Sequence, residues 1–183
     1  MPYVKYIILV FISLIADVCN YFLAPFVVLF ANQDGYLPRY LSWFQTPDNP
    51  LDGDGGWQRE HRPFKVQDTK FKQWWNRTRW LYRNSMYGFA INVLGAKTKG
   101  TDVLVISGDV KTSNRPLHNG ICIRKLYRDG KLIYWQFYFV KSWSDTRCIR
   151  INLGWKLWGF RQGENNNCQL THSPNPFMGY SKE

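Results

Sequence analysis

Between Tyr3 and Ala31 the chain carries one basic residue, Lys5, and one acidic residue, Asp17. The runs Ile7 to Ile12 and Phe22 to Phe30 are almost purely apolar. A helix needs ~20 predominantly apolar residues, rising 1.5 Å each, to cross a bilayer. This segment is long enough, and no other part of the chain is. We therefore expect the N terminus to act as a membrane anchor, with Phe11, Phe22 and Phe30 in the lipid.

Three arrangements satisfy that pattern. One is a single span kinked at Pro25. A second is a pair of short helices that dip in and turn near Asp17, Cys19 and Asn20. The third is a helix buried in protein, where the same apolar residues are selected. Asp17 and Asn20 argue against a bare span, because polar groups at mid-bilayer are costly without partners. A cleaved signal peptide fits poorly. The first apolar run ends in Leu14-Ile15-Ala16, without the small residue expected three positions before a cut.

Charge suggests orientation. Lys5 precedes the apolar run, whereas Arg39, Arg59, Arg62, Lys65, Lys70 and Lys72 follow it. The positive-inside rule places the C-terminal part in the cytoplasm. Cys19, Cys122, Cys148 and Cys168 are scattered, as free thiols in a reducing compartment would be.

The charges of Lys5 and Asp17 cancel, so residues 32–183 keep the whole net charge of +11. A basic domain beside a membrane has lipid headgroups and nucleic acid as obvious anionic partners. In residues 36–45, Leu37, Tyr40, Leu41 and Phe44 fall on one helical face, flanked by Arg39 and Trp43. That predicts a short helix, either lying on the bilayer surface with Trp43 at headgroup level or packed under the domain. The loop from Thr46 to Trp57 holds two prolines, three glycines and Asp48, Asp52 and Asp54. It reads as a rigid turn followed by a flexible loop. Its acidic groups and Trp57 are candidates for a partner contact or a weak metal site, although no calcium-loop spacing is met.

Residues 66–85 predict an amphipathic helix capped near Asp68-Thr69. Phe71, Trp74, Trp75, Thr78, Leu81 and Tyr82 form the expected core face. Lys72, Arg77, Arg79 and Arg83, with Trp80 beside them, form the expected partner- or anion-binding face.

From residue 88 the apolar period becomes two. Short strands are expected around Val103 to Ile106, Ile121 to Arg128, Leu132 to Val140 and Ile149 to Leu157. Asp129-Gly130 is a strong hairpin signal, and Gly154 marks a bend or bulge. The expected class is α+β: a hydrophobic helix, one or two amphipathic helices, then an antiparallel sheet of about four to six strands. The expected divisions are 1–31 as anchor, 32–62 as interfacial helix and Asp/Gly loop, 63–163 as basic α+β domain, and 164–183 as a polar tail.

Phosphate-loop and nucleophile-elbow motifs are absent. His61, His118 and His172 have no zinc-type spacing, and no cofactor is expected. The apolar N terminus is joined by several specific runs: Leu41 to Trp57 (Leu-Ser-Trp-Phe-Gln-Thr-Pro-Asp-Asn-Pro-Leu-Asp-Gly-Asp-Gly-Gly-Trp), Arg77 to Asn84, Tyr87-Gly88-Phe89 and Gly154-Trp155-Lys156. Together these resemble a family of proteins of unknown function encoded by tailed bacteriophages and prophages. The resemblance implies a phage origin and no reaction. The leading expectation is a non-enzymatic accessory or virion-associated protein, held at the bacterial inner membrane and binding a phage or host protein. The alternatives are a membrane-tethered nucleic-acid binder and a metal-dependent enzyme using Asp48, Asp52, Asp54 and His61.

Overall fold

The computed structural model describes residues 1–61 and 69–181. The fold is α+β and divides into two compact units. One comprises residues 11–94. The other comprises residues 1–10 together with 95–183.

The helical unit is built on the long helix α1 (Pro2–Val27), whose first ten residues belong with the sheet unit. A 3₁₀ turn, Val28–Phe30, continues α1. Ala24, Val27 and Val28 join Leu37, Leu51, Trp57, Trp80 and Leu81 in one buried cluster. The expected interfacial helix is reduced to a 3₁₀ turn, Arg39–Leu41. Leu37 is buried there, and Leu41 and Phe44 pack against the cluster, while Tyr36, Tyr40 and Trp43 stay exposed. Pro38, in extended backbone, precedes the turn and limits it to one.

Helix α2 (Gly55–His61) starts where Asp54 Oδ1 accepts a 2.7 Å hydrogen bond from the Trp57 N–H. Helix α3 (Lys70–Arg83) is capped by Thr69, whose hydroxyl accepts from the Lys72 N–H. The hydroxyl satisfies one donor that the first turn cannot. The part of the expected helix over 66–68 lies outside the described residues. A shorter α4 (Tyr87–Asn92) follows.

In the sheet unit, five antiparallel strands run in the order β2 (Val103–Gly108), β5 (Gly120–Arg128), β6 (Lys131–Ser142), β7 (Arg147–Trp155), β9 (Leu170–Gly179). Two small ladders add β1 (Ala96–Thr98) with β8 (Asn166–Cys168), and β3 (Ser113–Asn114) with β4 (Leu117–His118). The β5–β6 turn is Asp129-Gly130, with φ of 50° and 71°. Positive φ at both positions matches the strand twist and fixes the register Arg128↔Lys131. At Gly154, φ is +95° and a Cβ would lie 2.1 Å from the Trp135 carbonyl oxygen, so only glycine fits.

Two expectations are corrected. The polar segment after Gly163 is no loose tail, because it supplies β8 and β9. Pro174 and Pro176 are compatible with β9, an edge strand paired on one side only. The alternation over 149–157 also predicts a half-buried strand with Ile149, Ile151, Leu153, Trp155 and Leu157 on one apolar face, of which only Trp155 and Leu157 are buried. Cys122, Arg124, Leu126, Gln136, Tyr138, Val140, Cys148 and Asn152 are buried. Ile123, Phe137, Phe139, Ile149, Ile151 and Leu153 are only half-buried.

Candidate functional site

Helix α1 is inside out. Its fully buried polar residues are Ser13 and Asn20, and Asp17 is half-buried and partnered. Asn20 Nδ2 donates to the Leu81 carbonyl at 3.0 Å. Its exposed residues are overwhelmingly apolar: Phe11 is 64% exposed, Ile15 65% and Phe22 72%. At 26 residues the helix is about 39 Å long. It is long and apolar enough to cross a membrane, a property that spans and signal sequences share. Within the helical unit this surface continues onto α3. Trp74 Nε1 donates to the Pro25 carbonyl at 2.7 Å, and nearby Phe71 and Trp75 are exposed. Of the membrane-facing candidates, Phe11, Phe22, Phe30 and Trp43 are all exposed, and Trp43 also packs against Phe89.

The expected basic–aromatic face of α3 is rearranged. Arg77 points into the fold. Its Nε and Nη2 donate to the two Asp52 carboxylate oxygens, each at 2.7 Å, and its Nη1 and Nη2 donate to the Asn32 and Gln33 carbonyls. A bidentate, charge-assisted fork of this kind holds chain segments in register. Gly35 makes room for it, since a Cβ there would sit 2.7 Å from Asp52 Oδ2. Trp80 is 2% exposed and packs edge-on against Trp57, so it is core and does not form the outward stacking platform expected for it. Arg79 and Arg83 lie over the Trp57 ring at 5.4 and 5.2 Å, within cation–π range. Lys72 and Arg83 are exposed.

The acidic loop is spent on structure. Asp52 holds Arg77 and Asp54 caps α2, while Asp48 is exposed. The side chain of His61 lies outside the described residues. Among the described residues no group of three or more His, Cys, Asp or Glu side chains is gathered to hold a metal.

The sheet unit holds the polar groups that sequence reading missed. Arg124 and Arg150 lie in the inward phase with buried Gln136, Tyr138 and Asn152. Gln136 Nε2 donates to Asn152 Oδ1 at 2.9 Å. Burial, and next the charge of Arg150, lowers the Lys156 ammonium to about 8. Burial raises the Cys148 thiol and pushes that of Cys168 up to about 11, so neither is an activated nucleophile. The usable signal was phase, because Arg124 shares the strand face of Cys122 and Leu126. His118 pairs with Asp109. The Lys111 N–H and then His118 hold the Asp109 carboxyl below the usual carboxylate range.

These features define an α+β protein with an apolar N-terminal helix that buries Ser13 and Asn20 along its middle and Ala24 and Val27 in its last turns. The chain belongs to the family of unknown function DUF7338, which it matches over residues 1–182. No curated protein and no solved structure matches it.

Proposed function

We propose that the protein is a membrane-held, non-enzymatic accessory protein of phage origin, acting by binding a phage or host protein at the bacterial inner membrane. The observation that carries the membrane part is the reversed polarity of α1. A helix in water buries its apolar stripe and shows its polar one. In lipid the preference reverses, and polar groups turn to protein partners. Ser13 and Asn20 inward, with Phe11, Ile15 and Phe22 outward, is the lipid arrangement. Retention of the helix is supported by packing. Ala24, Val27 and Val28 are part of the buried cluster of the helical unit, so removing residues 1–31 as a signal would open its core.

The phage origin rests on the sequence resemblance alone. The cytoplasmic orientation of residues 32–183 rests on the charge that follows α1. The outward surface of Arg79 and Arg83 over Trp57, with Lys72, is the candidate partner contact. The test is to express the full chain with a C-terminal tag and follow it through alkaline carbonate extraction, with intact mass confirming residues 1–31. Retention in the pellet at full mass is expected. Soluble or N-terminally cleaved protein would end this reading.

A further inference from the structure

On the inward face of the sheet, Arg124 and Arg150 have no ion pair among the described residues. Arg124 is 9% exposed, its Nη1 is buried, and that atom has no hydrogen-bond partner among the described residues. Arg150 Nε is in the same state, although its Nη2 reaches Ser173 Oγ at 3.4 Å. The described ion pairs of arginine are Arg77–Asp52, Arg128–Asp102 and Arg161–Glu164, and they include neither. A buried cation without a counterion is strongly disfavoured.

Register puts these groups on one face of the sheet. Arg124 stands opposite Gln136, and Arg150 stands opposite Val140. Tyr138 lies between those two rows, and its hydroxyl feels both guanidiniums, while Arg150 in turn acts on Lys156. An acceptor completes the set: Gln136 is fully buried and its Oε1 has no donor among the described residues. Pairing Gln136 with Arg124 would satisfy both hydrogen bonds and still leave the charge unneutralised.

We propose that this face is a binding site for a small phosphate group, either free inorganic phosphate or the terminal phosphomonoester of a larger molecule. Arg124, Arg150 and Lys156 supply the countercharge, and Arg124 Nη1 and Arg150 Nε donate to phosphate oxygens. Gln136 Oε1 accepts from a phosphate hydroxyl. That acceptor sets the selectivity. Near neutral pH inorganic phosphate still carries a proton to donate, and a phosphomonoester carries one in its monoanion, with a second pKa of about 6, whereas sulfate and carboxylates carry none. The site is independent of the membrane reading, and either can fail without the other.

The experiment is thermal unfolding of the full chain in mild detergent, with phosphate, sulfate or chloride at matched ionic strength. Saturable stabilisation by phosphate is expected, about 5–10 °C near a hundredfold excess over Kd, with sulfate well behind. Arg124→Met should abolish that shift, whereas Arg79→Ala should keep it. A parallel arm uses vesicles of phosphatidylcholine with or without phosphatidic acid. An Arg124-dependent shift given by inorganic phosphate assigns a free anion. One confined to phosphatidic acid assigns a lipid headgroup. The wild-type selectivity stands as a test even if Arg124→Met fails to fold. Equal shifts in phosphate, sulfate and chloride, no shift in either arm, or a phosphate shift that survives in folded Arg124→Met would overturn the proposal.

Discussion

Two arginines are buried to nearly the same depth, Arg77 at 6% exposure in the helical unit and Arg124 at 9% in the sheet unit. Their surroundings differ completely. Arg77 meets both oxygens of Asp52 and two backbone carbonyls. Arg124 meets no partner through Nη1 among the described residues. The first charge is used up in building the fold, and the second is left for something else. The depth of a buried charge therefore says little about its role until its partners are counted. The same test applied to α1 gives a third outcome: Asn20 Nδ2 is answered by the Leu81 carbonyl, while Phe11, Ile15 and Phe22 are left exposed.

Opposite responses to mutation would sharpen the contrast most. Arg77→Ala strands the Asp52 carboxylate and should cost about 3–5 kcal/mol in chemical denaturation. Arg124→Met, in phosphate-free buffer, should be neutral or stabilising, because it removes an unneutralised buried charge of similar volume. If the two variants lose stability equally, the contrast is broken.

Next in size is the outward face of α1. Phe11→Glu or Ile15→Glu should each weaken membrane partition by about 3 kcal/mol, roughly a hundredfold, if that face meets lipid. Circular dichroism should remain native, since both side chains are more than half exposed. Smaller again is the α3 cap. Thr69→Ala should lower stability by about 1 kcal/mol, with no effect on partition.

The smallest effect is a slope with pH. The folded Lys156 titrates at about 8, below its ordinary 10.5, so between those values the unfolded chain binds more protons. Its contribution therefore makes stability rise with pH across that window. Cys168, raised from 9.0 to about 11, acts with the opposite sign. The Lys156 part is thus read as wild type minus Lys156→Met, and a flat difference curve would count against the burial of Lys156.

Much of the fold was legible because it is written locally. The Asp129-Gly130 hairpin, the Thr69 cap and the apolar length of α1 each depend on a few adjacent residues. What was not legible depends on distant partners. Alternation along β5 and β7 announces two faces, but the choice of inner face is made elsewhere in the chain. Arg77 looked like a surface residue because its partner Asp52 lies 25 residues away, across the Asp/Gly loop. Trp80 was assigned to the basic side because the core face of α3 is rotated from the expected one, burying Trp80 while leaving Phe71 and Trp75 exposed. The exposure of Phe11, Phe22 and Phe30 was not legible in composition, which marks an apolar helix but not which of its side chains are left uncovered.

The central claim is that the bare apolar face of α1 meets lipid and not another protein. Flotation of the purified full chain with phospholipid vesicles on a density gradient, side by side with the Phe11→Glu, Ile15→Glu double variant, tests it most directly. The account predicts that the wild type floats with the vesicles while the folded double variant stays at the bottom. A wild-type chain that remains at the bottom as a discrete, detergent-free oligomer would contradict it and make that face a contact between protein chains.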